Sequence, residues 1–464
     1  MTSGIQLPRF QVLIDESYGT SEESSRVVTP RNEQQQTQTS VRGSFVGSVL
    51  NLSAAALGVG IVAIPYAFFQ IGAIGGIACV VVFATLATVT LLWLLECSKL
   101  SKKMTFEGNV TFFLGEWGFR FFSINLVILL FGGCVAMYMV AVSTIRGIWN
   151  TPLIDVVGTL VIMGLSLVVM DDPVNRLKFT SLSTVACVAY ICGLVLYQWW
   201  IISQSREDEK SACITGESSL GDLVSSSSIV LNSFIMNFIF FEIVSSVPRG
   251  SLHTVKQIVY VALGVIIVPI YILIGVAGLY GLENCGQVPS NIFGPTAVWT
   301  ISPFVVDSGR VALAMLNFAK FPLLLLPLCH TLFPHNEEHA RVHISLLIGC
   351  VVLVSYLFSD ITQVLNLMGT TCGISIGFII PAAMYYRLQD IENEQADLAE
   401  RIMTYHQSLP ETDPVTPSAS RRAKKRSWKK SACFAIICAS TLYAATGIYF
   451  ELSVSSVETY LRVQ

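Results

Sequence analysis

The chain has 464 residues, 53% of them hydrophobic and only 13% charged, with 28 basic against 31 acidic side chains for a net charge of −3. Soluble domains carry roughly 25% charge, so at a mean hydropathy of +0.64 this chain lacks the polar residues to cover a water-exposed surface. The composition excludes an ordinary soluble enzyme or nucleic-acid-binding module and predicts an all-α polytopic membrane protein.

The first 43 residues are polar and unpatterned ("SEESSRVVTPRNEQQQTQTS" and neighbours), which reads as a disordered cytosolic tail without a cleavable signal peptide. Crossing about 30 Å of hydrocarbon takes roughly 20 apolar residues per helix. Runs of that length predict eleven spans, at 44–69, 72–97, 119–147, 153–170, 179–203, 227–247, 256–281, 304–330, 342–358, 361–386 and 431–452. Basic residues near span ends orient the chain. Lys99, Lys102 and Lys103, then Arg249 and Lys256, then "RRAKKRSWKK" before the last span all fall on one side if the N-terminus is cytosolic. The more acidic loop 204–226 falls on the other side. Ten of the twelve cysteines lie in or close to apolar spans, where they read as small buried hydrophobes. Cys213 and Cys285 lie in the loops 204–226 and 282–303, which face an oxidising compartment, so a Cys213–Cys285 disulfide is expected. The N-x-S/T matches at Asn51 and Asn109 fall in a span and a cytosolic loop and read as chance.

The first span, "NLSAAALGVGIVAIPYAF", places Gly58, Gly60 and Pro65 near mid-membrane. A helix is interrupted in lipid only where protein or water re-satisfies the freed backbone groups, so this segment is expected to line a cavity. Freed carbonyls there suit a cation, and the start of the following half-helix suits a carboxylate. Close helix packing is the structural alternative for such glycines. Transporters with inverted repeats use this device and repeat it about five spans later. Span six accordingly holds Asn232, Ser233, Asn237 and Glu242, and Val49-Leu50-Asn51 is echoed by Val230-Leu231-Asn232.

"NLSAAALGVGIVAIPYAFFQIG" resembles the first span of the amino acid/auxin permease family in Asn51, Gly58, Gly60, Ile64, Pro65 and Ala67. "DITQVLNLMGTTCGISIGFIIPAAMYY" is similar to that family's tenth span at Gly369, Pro381 and Ala382, and "YILIGVAGLYGL" to its seventh. The resemblance covers most of residues 44–452. It implies two inverted five-helix repeats with spans one and six broken, one extra C-terminal helix, and secondary transport of amino acids. The chain then divides into the tail 1–43, a first repeat over 44–203, the loop 204–226, a second repeat over 227–387, a basic cytosolic linker over 388–430, and a last span with the C-terminus over 431–464.

Two departures bear on mechanism. Span six reads "NFIFFEIVSSVP" where the family often has a Cys-His pair, so substrate specificity does not carry over. The sodium-coupled branch has a threonine in span eight two residues before a proline; here Lys320 stands there, in "LNFAKFPLLLLPLC". A mid-span lysine costs several kcal/mol unless it is paired or lines water. Its ammonium could stand where relatives hold sodium, and a desolvated ammonium gives up its proton more readily, so Lys320 is a candidate for ion or proton coupling; snorkelling to a cytosolic vestibule is the plain alternative. Glu242 could meet a substrate amine, pair with Lys320, exchange a proton or gate the cytosolic side. Glu96, Arg120, Arg146, Asp307, Arg310 and Asp360 read as solvated interfacial charges. His335, His339 and His343, spaced four apart, read as one face of a polar cytosolic helix, although a zinc or pH-sensing face is conceivable on spacing alone.

The expectation is therefore an amino acid transporter working by alternating access, sodium-independent (proton-coupled or facilitative), for neutral or cationic amino acids, in the plasma membrane or a lysosomal or vacuolar membrane. Asn51, Gly58, Val59, Gly60, Asn237 and Glu242 are the expected substrate-binding residues. No cofactor, metal or enzymatic activity is expected, because no nucleophile or ligand set lies at membrane depth. An amino acid-sensing receptor signalling through its tail would use the same site and is the alternative.

Overall fold

In hydrocarbon, backbone polar groups must be satisfied within the chain, which leaves helices or closed barrels, and the apolar runs here are too long for strands. The computed structural model describes residues 45–463 apart from 150, 152, 171–172, 206–218, 247–251, 283–286, 334–338, 359 and 408–418. These residues belong to one compact unit, and they are overwhelmingly helical. The tail 1–43 lies outside the described residues, as do Cys213, Cys285 and His335.

The helices are α1 (Phe45–Ala56), α2 (Ile64–Ser101), α3 (Phe106–Arg146), α4 (Leu153–Met170), α5 (Pro173–Ser205), α6 (Leu220–Asn232), α7 (Asn237–Ser246), α8 (Leu252–Tyr260), α9 (Val268–Leu282), α10 (Pro303–Leu332), α11 (Ala340–Ser355), α12 (Ile361–Met368), α13 (Ile380–Gln407) and α14 (Ala419–Val463). Among the described residues, eight helical stretches are long and apolar enough to cross a membrane, and three shorter apolar helices accompany them. The predicted spans one and two do not separate into two helices. Span one is α1 plus the first turns of α2, and α2 kinks at Gly72 (φ +76°) before continuing as span two. Gly115 (φ +68°) likewise separates a short first segment of α3 from its long remainder. Both positions require the left-handed backbone that glycine alone adopts freely.

Two packing groups emerge. In one, α2 lies against α6 and α9; in the other, α10 lies against α3 and α4, and α11 covers both of these. The short α1 rests on α5, α7 and α8, and α5 bridges the groups by touching α9 and α10. Close approaches depend on small residues: a Cβ on Gly278 would reach 2.7 Å from the Cβ of Pro65, and one on Gly369 would press into the Ser228 backbone. Large apolar side chains such as Ile74, Trp117, Leu153 and Phe304 are exposed on the outside. That is the surface a lipid-facing protein presents.

Helix enters the basic 388–430 segment from both sides, since α13 continues to Gln407 and α14 begins at Ala419. The two arms meet where Lys430 pairs with Asp390 and Lys429 donates 2.9 Å to the Tyr385 hydroxyl, itself stacked on Trp93. One expectation needs correction: Arg310 is not a solvated charge, since only 12% of its side chain is exposed. It pairs with Asp307 and donates to the carbonyls of Phe293 (3.1 Å) and Gly147 (2.8 Å). The physical reason is that residues 287–302 fold over the end of the helices, and their irregular backbone needs donors. Asn291 adds bonds to Ser143 and Thr144, and Gln198 accepts from Thr300 while donating to Gly281. Arg146 pairs with Asp155, which also accepts from Tyr356 at 3.0 Å, and Asp360 caps α12 through the Thr362 N–H. Asn109, buried, ties the 101–105 turn by bonds to Ser101, Lys103 and Thr105.

Candidate functional site

The first interruption opens where α1 stops at Ala56, and a 3-10 turn over Val59–Val62 follows before α2 begins. In an unbroken helix the carbonyls of Ala54 to Leu57 would accept from residues 58 to 61. Here Ile61 N–H turns instead to Gly58 (3.2 Å) and Ala63 N–H to Gly60 (3.1 Å), which strands those carbonyls. Side chains from neighbouring helices take them up. The Lys320 ammonium, from mid-α10, donates to Ala54 O at 2.5 Å and Leu57 O at 2.7 Å. The Tyr271 hydroxyl, from α9, lies 2.8 Å from Ala56 O. On the donor side, the N–H groups of Gly58, Val59 and Gly60 have no backbone acceptor among the described residues. A break thus presents carbonyls already bound to a cation and amides still able to bind an anion.

At the second interruption, α6 ends at Asn232 and α7 begins at Asn237. The intervening turn tightens, with Ser233 N–H bonding Val230 O (3.1 Å) and Phe234 N–H bonding Leu231 O (2.9 Å). The Ser233 carbonyl faces Tyr271, 3.1 Å from its hydroxyl. Asn237 donates its amide to Gly377 O at 2.9 Å, in a π-helical stretch of span ten over Ser375–Ile379. Its Oδ1 is buried and has no donor among the described residues. The two interruptions touch at Gly60: a Cβ there would come within 2.9 Å of the Ser233 Cβ. At Gly58 the nearest atom to such a Cβ is Ala56 O at 4.0 Å, so Gly58 borders open space.

The structure therefore brings together Gly58, Val59, Gly60 and Lys320, and sets Asn237 one turn beyond the Ser233 that Gly60 touches. Lys320 is buried (8% exposed) and forms no ion pair among the described residues. Its charge is balanced by backbone dipoles alone, which a buried cation tolerates only where geometry supplies close acceptors. Asn51 sits half-buried on α1 and Glu242 is exposed on α7, so neither is drawn to the Lys320 bonds. His339 and His343 belong to the start of α11, where His343 stacks on Phe333, and no metal-binding group occurs among the described residues.

Sequence reading missed Tyr271, one of three tyrosines in the seventh span (with Tyr260 and Tyr280), which nothing in the local pattern sets apart. It also missed Asn366, which links Ser225 (2.5 Å) and Ser228 (2.9 Å) of the serine run in α6 to span ten. Four consecutive serines in a span were the available sign.

Residues 41–405 match the family described as transmembrane amino acid transporter protein. The chain belongs to that family. Among its relatives are the amino acid transporter AVT6D of Arabidopsis thaliana, 24% identical over 77% of this chain and 88% of that protein, and vacuolar amino acid transporter 6 of Saccharomyces cerevisiae, 23% identical over 78% and 94%. Vacuolar amino acid transporter 5 of Schizosaccharomyces pombe is 22% identical over 74% and 84%. A solved structure of MHP1, a nucleobase-cation-symport-1 family transporter, superposes with a TM-score of 0.53 at 13% identity over 89% of this chain and 94% of that one. That likeness concerns the fold alone. The amino acid transporter family member described here is thus a multi-pass membrane protein of a transporter family.

Proposed function

We propose that this family member moves amino acids across a vacuolar- or lysosomal-type membrane by alternating access, without sodium. The observation that carries the reading is the seating of Lys320, whose ammonium binds the carbonyls of Ala54 and Leu57 at the span-one break. Stranded carbonyls of an interrupted helix are where a coupling cation would be held. A tethered ammonium occupying them removes both the vacancy and the electrostatic need for a free ion. The vacuolar relatives support the choice of membrane.

In this reading the substrate carboxylate binds the N–H groups of Gly58, Val59 and Gly60, assisted by the dipole at the start of α2. The unpartnered Oδ1 of Asn237 accepts from the substrate ammonium. Lys320 also carries an exchangeable proton at the break, which makes it the candidate carrier if transport is proton-coupled. Glu242 and Asn51 act at the margins of the site, toward the entrance. The substrate side chain is expected to be neutral or cationic, since the site adds no further buried cation.

The test is uptake of labelled amino acids into proteoliposomes with sodium replaced by choline and with an imposed pH gradient. Uptake that persists in choline is the expected outcome, and acceleration by the gradient would identify the proton as coupling ion. Strict sodium dependence would overturn the assignment of Lys320.

A further inference from the structure

Tyr271 occupies a place that the substrate and cation do not explain. It is fully buried on α9, and its ring meets Phe234 edge-on at 5.3 Å, next to the span-six break. Its hydroxyl is 2.8 Å from Ala56 O and 3.1 Å from Ser233 O. Each of these carbonyls lies at the C-terminal end of a half-helix, where no N–H continues the ladder. A phenol carries one proton and can give it fully to one carbonyl at a time. In a dry interior neither carbonyl has water as an alternative donor.

The two side chains that serve the span-one break therefore reach it from different bodies. Lys320 comes from α10, which packs with α3 and α4. Tyr271 comes from α9, which packs with α2 and stands beside the span-six break. Rocking one packing group against the other strains or exchanges the Lys320 bonds, whereas Tyr271 ties the broken ends of spans one and six to the same helix. Gly60 against Ser233 adds a steric contact but no directional bond.

We propose that Tyr271 is a positioning residue that makes the two interrupted spans move as one body, so that occupancy at the span-one break is transmitted to span six. This rests on the alternating-access reading above. Its hydroxyl touches helix ends, not the amides assigned to the substrate carboxylate, so its loss should slow the conformational step more than it weakens binding.

The experiment places spin labels, as non-canonical amino acids, at the exposed positions Val46 on α1, Leu223 on α6 and Met315 on α10, and compares wild type with Tyr271→Phe in proteoliposomes. In wild type, adding transported amino acid should change the 46–315 distance and leave 46–223 unchanged. In Y271F the 46–223 distribution should broaden, with maximal uptake lowered about tenfold, as for loss of a buried hydrogen bond, and KM held within about twofold. A 46–223 distance that shifts with substrate in wild type overturns the proposal, even if Y271F cannot be recovered folded. So does Y271F with normal uptake and a narrow distribution, or one in which KM alone rises. A wild type that moves no amino acid overturns the transport reading itself, an outcome distinct from a Y271F indistinguishable from an active wild type.

Discussion

Lys320 and Gly60 show how much a single position decides in a medium without water. Lys320→Ala leaves the carbonyls of Ala54 and Leu57 without their donors, and an orphaned buried acceptor costs about 1–3 kcal/mol. The variant should lose uptake and melt earlier in detergent; a variant that transports normally in choline would remove the ammonium from the mechanism. Gly60→Ala drives a Cβ into Ser233, overpacking worth about 1–3 kcal/mol. It should reduce uptake at least tenfold, and Ser233→Gly in the same chain should restore part of it. Gly58→Ala meets open space, so it should insert and fold normally and affect substrate affinity alone, read as a raised KM. The glycines and Lys320 were legible in the sequence because polar or flexible residues in hydrocarbon are rare and costly. Tyr271 was not, since an aromatic in a span is usually packing, and only its two carbonyl partners distinguish it.

At the level of elements, the interruptions of spans one and six differ in what closes them. Span one is held by side chains from α9 and α10, whereas span six largely satisfies itself through a tightened turn. The segment 287–302 is a third irregular stretch, and its restraint by Arg310, Asn291 and Gln198 follows the same rule that buried backbone must find partners. Arg310→Met should lower stability by about 2–3 kcal/mol, the scale for hydrogen bonds to a charged group, and make 287–302 susceptible to protease. A variant as stable and as resistant as wild type would show the clamp to be dispensable. Sequence alone placed Arg310 at a span end, where snorkelling into water is the usual fate. It could not show that a loop returns over that end, because loop course depends on contacts between residues distant in the chain.

Across the whole molecule, two packing groups meet around the paired interruptions, and the α13–α14 arms extend from one end. The Lys430–Asp390 pair joining those arms is partly exposed, at 28% and 27%, so it belongs to the class of exposed ion pairs worth about 0–1 kcal/mol. Asp390→Asn and Lys430→Met should each cost little stability, and a double-mutant cycle should return a coupling below about 1 kcal/mol with uptake within twofold of wild type. A large coupling, or lost transport, would mean that the arms take part in the cycle.

The sequence by itself determined that the chain lives in a membrane, that its spans are helical and that spans one and six carry the polar and flexible residues. These follow from local physics: the cost of backbone and charge in hydrocarbon is read residue by residue along the chain. Only the tertiary structure decided which carbonyls Lys320 binds, that Tyr271 stands between both breaks, that Arg310 faces inward and that Gly60 rather than Gly58 abuts span six. Those relations join residues up to 266 positions apart, and no local pattern records which distant group will supply the partner that a broken helix requires.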